Sequence, residues 1–458
     1  MTQAGGAAAN ASHEVWSSKL TFLYSATAAA IGLGSLWRFP YVAGVNGGGA
    51  FVLVYIFFVA LLCVPVILAE MFIGKRGSGS TVASVDRVVR EEGAWKFWRT
   101  VGWLSLLIPF FGLGYYSVIA AWCVDYARMA IFEGFDGVSA EQSKASFDAL
   151  MSSPTRLMIL QTIFVGGAVL VVSQGLQRGI ERISKIKITA MFAVLSFMVV
   201  YNAVNFGLGE AGSFLFAPDF SQLTPKSILA AFGQALFSTG IGIGVLMTYS
   251  AFVPKGISLP QSSALLSLAV VIVALLAGLA IFPIVFHFGL EPEAGANLIF
   301  VTVPMAFGQM TGGRLISILF FGLFAIGAFT SAVGMLEGVV AWLDEKLKLG
   351  RKKVCMIVGV AIWLVGVPSA LSFNALSDIH PLSFIPFFAT STFFDVLDMG
   401  IAMILLPLNA LLIALLVGWG VSKTTAVSEL GEGTLISYWR FILRYLAPIA
   451  IVVMLMGL

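Results

Sequence analysis

The chain has 458 residues, of which 59% are hydrophobic and only 11% charged. No soluble fold hides that much apolar surface behind so few charges, so the composition excludes a soluble enzyme and places the chain in a lipid bilayer. The net charge of +3 is distributed among the loops and leaves no basic footprint for a nucleic acid.

The first residues are Ala-rich and lack the basic start and small-residue cleavage site of a signal peptide, so residues 1–15 read as a retained cytoplasmic tail. Apolar segments then recur to the end of the chain. Spaced for the roughly 20 residues that a crossing helix needs, they predict about eleven spans, near 19–45, 50–73, 100–131, 157–175, 184–207, 228–252, 262–288, 315–343, 354–373, 393–420 and 437–457.

With the N-terminus inside, one inner loop carries Lys75, Arg76, Arg87, Arg90, Lys96 and Arg99, a second carries Arg178, Arg182, Lys185 and Lys187, and a third carries Lys346, Lys348, Arg351, Lys352 and Lys353. The opposite loops hold mainly acids, among them Glu133, Asp136, Glu141, Glu210, Asp219, Glu291, Glu293 and Asp378. Basic residues resist translocation, so the asymmetry predicts a multi-pass protein of the cell membrane with a cytoplasmic N-terminus.

The first span is interrupted at Ala30-Ile31-Gly32-Leu33-Gly34-Ser35 and followed by Trp37-Arg38-Phe39-Pro40. The sixth is interrupted at Phe237-Ser238-Thr239-Gly240-Ile241-Gly242-Ile243-Gly244. Inside a bilayer every backbone group that leaves a helix needs a partner, so two such gaps predict a polar cavity at mid-membrane. Small residues also serve close helix packing, which either gap alone would satisfy. Two gaps opening corresponding five-helix halves, at about 16–207 and 228–420 with an eleventh helix in 421–458, are the pattern of an inverted-repeat transporter. Exposed amides near Leu33 and Gly34 suit an anionic group, and exposed carbonyls near Ala28 and Ile31 suit a cation.

Cys63, Cys123 and Cys355 lie in or beside apolar spans without ligand spacing and read as packing residues. His13, His287 and His380 have no second ligand at a metal-binding interval, and the sequon Asn10-Ala11-Ser12 falls on the expected cytoplasmic side.

The segments Gly32-Leu-Gly-Ser-Leu-Trp-Arg-Phe-Pro-Tyr41 and Asn46-Gly-Gly-Gly-Ala-Phe51 resemble the first-helix signature of the neurotransmitter:sodium symporters, in their bacterial amino-acid-transporting branch. Ala69-Glu70-Met71, Tyr115-Tyr116, Gly233-Gln234, Thr330-Ser331 and Asp395-Val-Leu-Asp398 match in the same order, so the resemblance runs from Trp16 to Leu458. It implies an all-α leucine-transporter-type fold with discontinuous helices one and six. The implied activity is sodium-coupled symport of a small molecule by alternating access, with no enzymatic step.

Residue by residue, the resemblance implies a sodium site between helices one and eight, from the carbonyls of Ala28, Ile31 and Gly327 and the hydroxyls of Thr330 and Ser331. A membrane Thr-Ser pair also commonly bonds back to its own helix. The substrate pocket would take in Ala30, Leu33, Gly34, Tyr116, Phe237, Ser238, Gly240, Ile243, Ser331 and Met335, with Gly112 and Ala332 on its wall. Tyr116 resembles the tyrosine that supports a substrate carboxylate, and Phe237 the aromatic lid. Arg38 and Asp398 resemble the outer gate, with Asp395 nearby, and Trp16 part of the inner gate. Glu70 reads as a structural hydrogen-bonding carboxyl.

The other sodium site of the family would draw on Ala30, Ser35 and Ser238. The asparagines that the family places there read Ser35 and, in span seven, Ala269 or Val270, which leaves one or two sodium ions per substrate open. Near Val273 there is neither the serine of chloride-dependent members nor the glutamate of many bacterial ones, and span five has Thr189 in place of a proline. Gly32 stands where monoamine carriers place an aspartate, so the expected substrate carries its own carboxylate: a neutral, hydrophobic amino acid. The same residues would also serve a membrane sensor that binds an amino acid without moving it.

Overall fold

A computed structural model describes residues 15–290 and 295–457. His13 and the Asn10 sequon lie outside the described residues, as do Glu291, Glu293 and the expected tail apart from Val15. The described residues are mostly helical, joined by turns and loops, with no strand among them. Among them, nine unbroken helices are long and apolar enough to cross a membrane. They are spans two (Gly49–Gly77), three (Lys96–Phe132), four (Pro154–Ser173), five (Leu176–Asn205), seven (Leu259–His287), eight (Gly313–Leu347), nine (Arg351–Leu371), ten (Phe393–Gly420) and eleven (Thr434–Met456).

Span one is broken. Its halves, Lys19–Ala30 and Gly34–Val45, are bent by 56° across the gap. Span six consists of Pro225–Thr239 and Val245–Ala251, joined by Gly240–Gly244. Each expected span is therefore present, displaced by a few residues at its ends.

The helices pack around the broken pair. The first half of span one contacts spans five, seven and eight and the second half of span six, while spans three and eight make an extended contact along their length. Gly34 brings the two gaps together: a Cβ there would lie 2.9 Å from Cδ1 of Phe237. Only a residue without a side chain allows that approach.

One topological expectation is corrected. Arg178, Arg182 and Lys185 are exposed, but Lys187 is fully buried inside span five. It shares one face with Glu181, Ser184 and Met191, all buried and three or four residues apart, which is the helical repeat. It is a core residue and not a loop charge.

Candidate substrate and ion site

The first half of span one ends in Thr27-Ala-Ala-Ala30, and Ile31 leaves the helix with extended backbone (φ −78°, ψ 103°). The chain resumes in a wide turn over Gly34–Arg38, and Pro40 starts the following helix. Proline has no amide hydrogen, so it is tolerated at a helix start and discourages continuation from upstream. The carbonyl of Gly34 is satisfied from span six, where Gln234 Nε2 donates to it at 2.9 Å.

The gap in span six is made by three glycines in left-handed backbone, Gly240, Gly242 and Gly244, with φ of +66°, +83° and +88°. That conformation is routine only for glycine. Its peptide groups are held by buried side chains. Glu70 accepts from the amides of Gly242 at 3.1 Å and Met247 at 3.3 Å, while Asn409 Nδ2 donates to the Gly242 carbonyl at 2.7 Å. Buried peptide groups outside regular structure require such partners, so Glu70 and Asn409 make the gap possible.

Between the gaps lies a mostly apolar cavity of about 760 Å³, counting its mouth. Ala30, Leu33, Gly34, Tyr116, Phe237, Gly240, Ile243, Ser331 and Met335 all line it, with Gly112, Ile108, Tyr115 and Thr239. The polar end is formed where Tyr116, Ser331 and Gly32 converge: a Cβ on Gly32 would meet Ser331 Oγ at 2.6 Å and the Tyr116 hydroxyl at 3.4 Å. The Tyr116 hydroxyl is buried beside Ser331 and the Leu33 backbone without completing a hydrogen bond to either.

Ser238 departs from the expected set. It is buried on another face of the helix, where its hydroxyl meets Tyr55 at 3.0 Å, and Thr239 borders the cavity instead. Consecutive helical residues diverge by about 100°, so neighbours in sequence face different surroundings. Ser35 is also fully buried, with no hydrogen-bond partner for its hydroxyl among the described residues.

A second cavity adjoins the first and shares Leu33, Tyr115, Tyr116 and Phe237 with it. Arg38 and Asp398 both line this outer cavity. They do not form an ion pair within 4.0 Å; the Arg38 guanidinium instead lies over the Phe237 ring, 4.3 Å from its centroid. Asp395 is occupied otherwise. It accepts from the Thr392 amide at 3.0 Å and hydroxyl at 2.8 Å, in a capping box that starts span ten. A carboxylate fixed at a helix start satisfies local donors.

At the end that carries the N-terminus, Trp16 is buried and donates from Nε1 to the Tyr249 carbonyl at 2.7 Å. Glu181 accepts from the amide and the hydroxyl of Ser17, each at 2.7 Å. Glu181 is not among the expected site residues; its spacing from Ser184 and Lys187 on one face is the available signal.

The five residues expected to bind sodium do meet between spans one and eight. A lysine side chain stands among them. Lys187 Nζ donates to the carbonyls of Ala28 at 2.6 Å and Gly327 at 3.2 Å, and to that of Ile31. The Thr330 hydroxyl also reaches Ala28 and Gly327, at 3.4 and 3.3 Å, and the Ser331 hydroxyl reaches Ala29 at 3.3 Å. The sequence places Lys187 among the inner-loop charges, and nothing in its position along the chain indicates that it reaches span one.

Two broken helices around a central cavity, enclosed by apolar spans, define a polytopic secondary transporter. A family model described as the sodium:neurotransmitter symporter family matches residues 13–136 and 146–457, and the chain belongs to that family. It is therefore a multi-pass membrane protein and not an enzyme, and the coupling ion of its family is sodium.

A sodium-dependent transporter of Bacillus subtilis, YhdH, is 37% identical over 448 residues, covering 97% of both chains. One from Haemophilus influenzae is 32% identical over 454 residues, covering 97% of this chain and 98% of the other. The crystal structure of MhsT in complex with L-phenylalanine superposes with a TM-score of 0.88 at 35% identity, over 97% of this chain and 99% of that one.

Proposed function

We propose that this protein imports a neutral, hydrophobic amino acid across the cell membrane by alternating access, driven by the sodium gradient. The observation that carries the reading is the buried Tyr116 hydroxyl, which completes no hydrogen bond among the described residues, at the polar end of an otherwise apolar cavity. An unpaired buried hydroxyl is costly in an unliganded site and is offset when a ligand completes its hydrogen bonds. A substrate carboxylate beside Leu33 and Gly34 would do so, with its side chain against Ile108, Gly112, Ile243 and Met335. Methionine repacks easily around apolar groups of different shape. The phenylalanine bound by MhsT supports the same class of ligand.

In this reading Phe237 is the lid between the two cavities, and Arg38 and Asp398 draw together above it as the pocket closes. Trp16 and the Ser17–Glu181 contact hold the opposite side shut until the first half of span one swings away. The two halves, about 16–207 and 228–420, move against each other around the fixed site. Energy enters as a difference in ligand affinity between the inward-open and outward-open states.

The test is uptake of each of the common amino acids into proteoliposomes under an inward sodium gradient, followed by counterflow of the best substrate. Accumulation of large neutral amino acids is the expected result. Failure to accumulate any neutral amino acid refutes the proposal, and binding without counterflow identifies a sensor.

A further inference from the structure

We infer that Lys187 is a tethered cation that stands in for sodium at the junction of spans one and eight. Its ammonium is in hydrogen-bonding contact with Ala28, Ile31 and Gly327, the three carbonyls that the family resemblance allots to the ion. An ammonium has three protons and no acceptor capacity, so three converging carbonyls satisfy it completely. No carboxylate pairs with Lys187 in any ion pair among the described residues. The buried charge is therefore balanced by peptide dipoles, in the way that broken membrane helices hold cations.

Geometry leaves no room for a second cation on the same oxygens. Sodium needs several oxygen ligands at close range, and two like charges sharing one set of carbonyls repel. The ammonium also does what a bound ion would do there. It joins the carbonyl end of the first half of span one to Gly327 of span eight, from a third helix. Span five thus clamps the junction directly, and sodium acts at this position only after Lys187 has swung out. The coupling sodium of the proposed symport and the lysine compete for one place.

The inference concerns the junction and is independent of which substrate is carried. Purified protein is melted in about 100 mM sodium chloride and in the same concentration of choline chloride, because a bound ion raises stability in proportion to its affinity. Wild type, in which sodium must first displace the lysine, is expected to be stabilised by sodium less than Lys187→Met is. Lys187→Met, which keeps the stem and removes the charge, is expected to melt earlier in choline and to recover by several degrees in sodium. Lys187→Ala, which leaves more space, repeats the comparison if the Met variant is lost on expression.

Substrate binding gives the second readout, with labelled phenylalanine as probe. Both proteins should bind more weakly in choline, but the sodium concentration that restores half-maximal binding should be at least about tenfold higher in wild type than in Lys187→Met, because only wild type must displace the ammonium. A wild-type protein whose stability needs sodium as strictly as the variants do, or variants indifferent to sodium, would overturn the inference. If wild type binds no amino acid in any salt, the proposed substrate class fails while the melting comparison still decides the role of Lys187.

Discussion

The carboxylate of Glu70 accepts hydrogen bonds from the backbone amides of Gly242 and Met247, which lie on either side of the start of the second half of span six. It is fully buried in span two. Removing it strands two peptide donors in the membrane interior, each costing about 1–3 kcal/mol. Glu70→Ala should therefore lower the melting temperature of the purified protein markedly and abolish uptake, while Glu70→Gln, which keeps one acceptor, should retain part of both. An Ala variant with wild-type melting and uptake would remove Glu70 from the architecture of the gap.

Tyr116 offers a cleaner probe of ligand chemistry. Its hydroxyl completes no hydrogen bond among the described residues, so Tyr116→Phe should leave the melting temperature of ligand-free protein nearly unchanged. A hydrogen bond to a charged group contributes about 1.5–3 kcal/mol, so affinity for a carboxylate-bearing substrate should fall about 10- to 100-fold. Equilibrium binding of labelled amino acid checks this; equal affinities would move the carboxylate elsewhere.

Arg38 lies over the Phe237 ring at 4.3 Å, across the boundary of the two cavities. Cation–π contacts contribute about 0.5–2 kcal/mol, and this one holds the lid residue from the outside. Arg38→Ala should speed dissociation of bound substrate about tenfold, read in a filter-binding chase. Asp398→Asn should do the same through the loss of the closing partner. Unchanged dissociation in both variants would show that closure does not pass through this pair.

Glu91 sits outside the spans, in the helix Thr81–Glu91, and bonds to Arg87 and Arg76. The bond from Arg87, followed by that from Arg76, holds its carboxyl below the usual carboxylate range. A depressed folded-state value means that the tie stabilises the fold above the ordinary carboxylate range and is lost as pH falls through the lowered value. Hydrogen exchange of residues 81–91 should be faster in Glu91→Gln than in wild type at neutral pH, and the difference should vanish in acid. A difference that persists or grows in acid would contradict the assignment.

Arg38, Tyr116, Phe237 and Met335 fall in four different spans, yet the resemblance grouped them and they border the two adjoining cavities. Such residues were legible because a membrane span announces itself by length and a broken one by glycines, both properties of a continuous stretch of chain. Ser238 turns to another face of its helix, and Asp395 is taken up by a capping contact three residues away. Neither is legible in sequence, because a residue's position in an element does not state which way its side chain leaves it.

The chain by itself determined the class of the protein, the spans, the two gaps and the need for a cavity between them, because hydrophobicity and glycine placement act locally. What only the tertiary structure decided is that Lys187 reaches the carbonyls at the end of the first half of span one. Lys187 and Ala28 are far apart in sequence and meet only through the packing of span five against span one. A long, flexible side chain can deliver a charge several ångströms from its own helix, and no local pattern records where it ends.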